Sequence, residues 1–216
     1  MEAQSNLANK KFHINEIFYS LQSEGTFAGT AATFVRFAGC NLKCVFCDTD
    51  FTTKFIMSQE EIVDALLANT ITGHFVFTGG EPTMQDIKSL GQALHKDRTT
   101  FIELETNGYL TEGYEEMDWI TLSPKVLERT EQYCDALKIV YGLFDMVDVE
   151  WWFKEYCFAR NNTFNKEMHP FHLFLQPMFY GDEKQMKENI KECVAYIKAD
   201  PKWRLSLQWH KMIDIP

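Results

Sequence analysis

The 216-residue sequence lacks any uninterrupted apolar run of about 18 residues, the length a membrane-spanning helix needs. Its opening stretch, MEAQSNLANKKFHINEIF, lacks the short apolar core of a secretory signal. A cytoplasmic protein with no membrane partner is therefore expected. Runs of Lys and Arg are also missing. With 21 basic against 31 acidic residues the formal net charge is −10, and the positive footprint that grips a phosphate backbone is absent. Small-molecule chemistry is favoured over nucleic-acid binding. No internal repeat and no Pro/Gly/Ser linker divides the chain, so one domain over residues 1–216 is expected. Finally, there is no second CxxC and no HxxxH, the partners with which a structural zinc site usually completes its ligand set.

What is present alternates between two periods. Short β-rich runs occur at 12–20, 31–37, 74–78, 100–104, 118–122, 135–141, 171–175 and 204–207. Between them lie helical patterns. Ser58-Gln-Glu-Glu61 reads as a capping box before an apolar stripe of Ile62, Val63, Leu66 and Leu67. Pro82 suits the first turn of a helix carrying Met84, Ile87, Leu90 and Leu94, and Met186, Ile190, Val194 and Ile197 repeat the pattern. Strand–helix alternation implies an α/β fold with a parallel sheet, its site built by loops at the C-terminal strand ends. The units are too few for eight-fold closure, so a partial, open (β/α) barrel is expected. Residues 142–170 carry an extra helical stripe (Val149, Trp152, Phe153, Tyr156), read as an inserted packed helix, with a lid or dimer contact as the alternative.

Three of the six cysteines fall within eight residues: Cys40, Cys44 and Cys47, spaced CxxxCxxC just after a predicted strand. Three thiolates on one loop can converge on an inorganic centre while leaving one coordination position open. Zinc with a distant histidine from among His13, His74, His95, His169, His172 and His210 is the competing reading. Further polar turns follow other strands: Thr78-Gly-Gly-Glu-Pro82, Glu105-Thr-Asn-Gly108 and Ser123-Pro-Lys125. Three such turns at one end of a sheet are unlike core packing. Cys134, Cys157 and Cys193, widely spaced, read as ordinary buried thiols.

CxxxCxxC with Phe46 before its last cysteine, followed by the GGEP turn, resembles the radical S-adenosylmethionine (SAM) superfamily. Phe18-Tyr-Ser-Leu-Gln-Ser-Glu-Gly25, Arg36, Cys47-Asp-Thr49 and the terminal Gln208-Trp-His-Lys-Met-Ile-Asp-Ile-Pro216 narrow the resemblance to the 7-carboxy-7-deazaguanine synthase family. That resemblance implies a 4Fe-4S cluster on Cys40, Cys44 and Cys47, with SAM against Phe46, Cys47, Asp48, Gly80, Ser123, Pro124, Lys125 and Gln176. It implies Mg2+ on Thr49. It also implies a pterin substrate held by Leu21, Gln22, Ser23, Glu24, Arg36, Thr78 and Pro216, with Glu105 and His210 beside the reacting ring. An electron donor such as flavodoxin or ferredoxin and a homodimer are further expectations of the resemblance. Two departures stand out: Ser23, where the family commonly has glycine, and the segment 142–170. A glycyl-radical activase and a zinc-stabilised binding module are the rival readings.

Overall fold

The computed structural model describes residues 10–96, 99–159, 172–179 and 183–216. Among these residues eleven strands and five α-helices run in chain order: β1 (Lys11–Leu21), β2 (Ala31–Phe37), β3 (Phe55–Ser58), α1 (Gln59–Ala68), β4 (His74–Gly79), α2 (Ile87–Leu94), β5 (Phe101–Thr106), β6 (Trp119–Leu122), β7 (Gln132–Cys134), β8 (Ala136–Tyr141), α3 (Met146–Tyr156), β9 (Cys157–Ala159), β10 (His172–Pro177), α4 (Glu183–Ala199), β11 (Arg204–Leu205) and α5 (Trp209–Ile213).

Nine strands form one sheet in the order β11-β10-β8-β6-β5-β4-β2-β1-β3. From β2 through β11 the pairing is parallel, whereas β1 runs antiparallel to both β2 and β3. The sheet ends on β3 and β11, which do not pair with each other, so the barrel is open. β7 and β9 pair separately in a small parallel sheet.

The helices cover the outside of the sheet, as parallel strands require. Ser58 and Glu61 form the reciprocal capping box of α1, whose Ile62 and Leu66 are fully buried; Leu67 is exposed. Ile62, Leu66, Ile87, Leu90 and Leu94 join Val35, Phe75, Phe77, Ile102, Leu104 and Ile120 in the main core. Pro82 does not open the α-helix expected there. It begins a 3-10 turn, Pro82–Met84, which leaves Met84 exposed, and the Asp86 side chain then caps α2 by accepting from the Ser89 N–H.

The expected helix within 142–170 is α3, with Val149, Trp152 and Phe153 buried and the Trp152 indole donating to the Glu128 carbonyl at 2.6 Å. It leads into β9, which the sequence patterns did not predict; residues 160–171, with His169, lie outside the described residues. Cys134 and Cys157, from the paired β7 and β9, bring their sulfurs to 3.7 Å, and with Cys193 they are fully buried as expected.

The loop between β1 and β2 crosses the barrel's lower mouth. Phe27 makes edge contacts with His74, Phe101 and Trp119, the first residues of β4, β5 and β6. No helix among the described residues is long and apolar enough to cross a membrane.

Candidate active site

The upper end of the sheet is built by turns that lock onto one another. Gly79, with φ +126°, lies so close to β2 that a Cβ there would meet the Phe37 carbonyl oxygen at 2.3 Å. A Cβ on Gly80 would meet the Gly39 carbonyl oxygen at 1.7 Å. The two glycines thus let the cysteine loop seat directly on the GGEP turn, with Gly80 N–H donating to Phe37 at 2.9 Å and Glu81 N–H to Gly39 at 2.8 Å. The fully buried Glu81 carboxylate accepts from the Thr83 N–H (3.1 Å) and hydroxyl (2.8 Å), the Thr106 hydroxyl (2.7 Å) and the Asn107 N–H (2.7 Å). One side chain therefore ties the GGEP turn to the ETNG turn. Asn107 in turn donates to Asn41 at 2.9 Å, inside the cysteine loop.

Two cavities lie above this platform. The first, about 220 Å3, is lined by Cys40, Cys44, Cys47, Phe46, Gly80, Ser123, Lys125 and Gln176 among others; the second, about 150 Å3, by Leu21, Gln22, Ser23, Arg36, His210 and Pro216. Glu24, Asp48, Thr49, Thr78, Glu105 and Gln208 line both, so the cavities meet along them. Of the residues expected from sequence, only Pro124 lines neither; it is buried next to Ser123 in the chain.

The first cavity carries the donor chemistry of an iron-sulfur centre, with room for a second ligand, although among the described residues the three thiols are not drawn together into a ready metal-binding group. Its lining holds three cysteines and no histidine, a soft donor set one short of four. Burial pushes the Cys40 and Cys44 thiols up, with Lys125 opposing the shift at Cys44. The Lys125 ammonium is fixed by the Ser123 carbonyl and hydroxyl, both at 2.7 Å; burial, then the like charge of Lys138, brings it down to about 8. The Gln176 amide oxygen accepts from Ser206 at 3.0 Å, and Ser206 also accepts from the Gly25 N–H at 3.1 Å.

In the second cavity one expectation changes. Gln22 does not offer its amide to a ligand: Nε2 donates to Glu103 at 2.9 Å, and Oε1 accepts from the N–H groups of Ser23 (2.9 Å) and Glu24 (3.2 Å). Gln22 is the brace of its loop, and Glu103 is held from the other side by His74 at 3.0 Å. Arg36 uses Nε on Glu16 at 2.7 Å and lies over the Phe18 ring while still lining the cavity. His210 Nδ1 lies 2.6 Å from the Ser23 hydroxyl, and burial lowers the imidazole's proton affinity. The Ser20 hydroxyl donates to the Pro216 carbonyl oxygen at 3.0 Å.

Three side chains at the site escaped sequence reasoning. Lys138, only 5% exposed, bridges Glu24 at 2.5 Å and Glu105 at 2.8 Å. Gln208 donates to Glu24 at 2.9 Å, and Lys211 pairs with Asp48. Lys138 lies within the strand run 135–141 as a polar residue among apolar ones, which was the available signal. Burial would raise Glu24, but the Lys138 ammonium outweighs it and holds the carboxyl at about 2. At Glu105 burial prevails over Lys138 and, helped by Glu103 and Glu24, lifts the carboxyl to about 7. Its Oε1 is buried with no hydrogen-bond partner.

The sequence profile of the Radical SAM superfamily matches residues 34–149, more than half of the chain. A 7-carboxy-7-deazaguanine synthase of Bacteroides thetaiotaomicron is 36% identical over 94% of this chain and 97% of its own, and one of Bordetella pertussis is 37% identical over 95% and 99%. The crystal structure of QueE from Escherichia coli superposes with a TM-score of 0.71 at 25% identity, covering 96% of this chain and 98% of that one. The three-cysteine loop on its glycine turn, the paired cavities and these likenesses agree: the chain is a radical SAM protein and belongs to the 7-carboxy-7-deazaguanine synthase family.

Proposed function

We propose that this protein contracts the six-membered ring of 6-carboxy-5,6,7,8-tetrahydropterin to give 7-carboxy-7-deazaguanine, with loss of ammonia, in the biosynthesis of queuosine or another 7-deazapurine. The observation that carries the reading is the shared seam. Glu24, Asp48, Thr49, Thr78, Glu105 and Gln208 line both cavities, so a ligand in the thiol-lined one touches a ligand in the other.

Cys40, Cys44 and Cys47 hold the 4Fe-4S cluster, and Phe46, Cys47, Asp48, Gly80, Ser123, Lys125 and Gln176 hold SAM, with Pro124 adjacent to Ser123. When bound, the reduced cluster and SAM supply the 5'-deoxyadenosyl radical; everything else is orientation and charge. Thr49, on the seam, offers the hard oxygen donor that suits Mg2+ beside a substrate carboxylate. Leu21, Ser23, Arg36, Thr78 and Pro216 orient the pterin, Gln22 by bracing the loop. The Glu24 carboxylate faces its guanidine-like N–H edge. Glu105 and His210 stand ready to move protons at the ring. The chain works as one domain in the cytoplasm, as a homodimer, taking electrons from a small carrier such as flavodoxin or ferredoxin.

The test is product formation. Reconstituted under anaerobic conditions, reduced and given SAM, Mg2+ and carboxytetrahydropterin, the protein should yield 7-carboxy-7-deazaguanine by mass. SAM cleavage without that product would defeat the reading.

A further inference from the structure

Glu24, Lys138 and Glu105 form a line of three charged side chains, each at most 16% exposed, where the two cavities meet. Lys138 projects from β8, Glu105 from the end of β5 and Glu24 from the loop after β1, so the line ties three separate elements together. A lysine this deep keeps its charge only if partners compensate its desolvation. Here the two carboxylates do so, and the ammonium is held charged well beyond the usual lysine range despite burial. Two carboxylates against one ammonium leave the line one proton short of neutrality. The two acids are not equivalent. Both Glu24 oxygens are engaged, Oε2 by Lys138 and Oε1 by Gln208 at 2.9 Å. Glu105 has Oε2 on Lys138 and a buried, unpartnered Oε1.

We propose that Lys138 is a positioning residue of this site: by bridging the two carboxylates it keeps Glu24 an anion and leaves Glu105 as the group that exchanges a proton with the bound ligand. The inference rests on the ring-contraction reading for the identity of that ligand, but the charge assignment does not. The other charged groups facing the line are Glu103 beside Glu105 on β5, itself paired with His74 of β4, Lys125 after β6, His210 of α5, Cys44 of the cysteine loop, and across the cavities Asp48, paired with Lys211 of α5, and Arg36 of β2, paired with Glu16 of β1. Lys125, His210, Arg36 and Lys211 are bonded to other partners, whereas Lys138 bonds Glu105 directly, so among the described residues Lys138 is the cation that sets the pair.

The experiment compares the reconstituted wild-type protein with K138M, K138R and E105Q. Infrared difference spectra across a pH titration follow the protonated-carboxyl stretch, assigned to Glu105 by its loss in E105Q. In K138M that stretch should persist to a pH at least about one unit higher than in the wild type, because removal of the ammonium makes the pair harder to ionise. The acid limb of the kcat/KM profile should move in the same direction, with kcat falling about 100-fold. K138R, which keeps the charge, should restore both positions. An unmoved infrared titration in a folded K138M overturns the proposal, as does a drop in kcat with the pH limb in place, since a merely structural lysine would give that result. If the wild type forms no product, the ring-contraction reading fails while the infrared titration still decides the role of Lys138.

Discussion

Glu105 is the residue on which pH should act most directly. Its folded value of about 7 lies above the ordinary 4.5, so the folding free energy it contributes is fully present below about 4.5 and is lost as pH rises through about 7. Glu24 behaves oppositely: held at about 2, it contributes stability above 4.5 that fades as pH falls toward 2. Turnover should therefore show an inflection near about 7 that Glu105→Gln removes, which a kcat/KM profile of both proteins checks. Thr49→Ala should abolish stimulation by Mg2+ while the visible spectrum of the cluster is unchanged; a retained Mg2+ response would remove Thr49 from the metal site. Gly80→Ala places a methyl group against the Gly39 carbonyl, where the gap is only 1.7 Å. The cysteine loop would have to lift, and iron and sulfide per chain should fall well below the wild-type content. At this scale the sequence was most legible where spacing encodes chemistry: CxxxCxxC and the glycine pair could be read directly. Lys138, Gln208 and Lys211 could not, because their partners lie 33 to 184 positions away or across a fold not yet known.

Elements that bury one face were readable, and those that owe their existence to a neighbour were not. The strand run 31–37 coincides with β2, and the capping box locates α1 to the residue, since both signals are local. β3, β7 and β9 have four, three and three residues, too short for any period to show. Pro82 satisfied the rule for a helix start but was taken up by a 3-10 turn, because Glu81 had to accept bonds from Thr83 and the next turn at once. That double duty makes Glu81 expensive to change. Glu81→Gln sets an amide N–H2 against donors it cannot accept from, in a site with no exposure. We expect a loss of about 3 kcal/mol, read by chemical denaturation. The short helix α5 illustrates the same dependence on tertiary partners. Trp209 N–H reaches the Ser23 carbonyl at 3.3 Å, His210 meets the Ser23 hydroxyl, and Lys211 pairs with Asp48.

On the scale of the whole molecule, the open barrel has unequal ends. The upper end carries the GGEP, ETNG and Ser123-Pro-Lys125 turns, while the lower is stopped by Phe27 among His74, Phe101 and Trp119. Phe27→Ala should cost about 2 kcal/mol, visible as a lowered Tm, without changing iron content, because the cysteine loop sits at the opposite end. The stopper belongs to the same loop as Gln22, Ser23 and Glu24, which makes the lower closure and the inner wall one piece. With the bottom shut among the described residues, the cavities lie toward the upper end, where Lys211 of α5 lines the thiol-bearing one and pairs with Asp48. A ligand in that cavity therefore lies against a five-residue helix whose hold on the cysteine loop is one partly exposed ion pair, a fastening that costs little to undo.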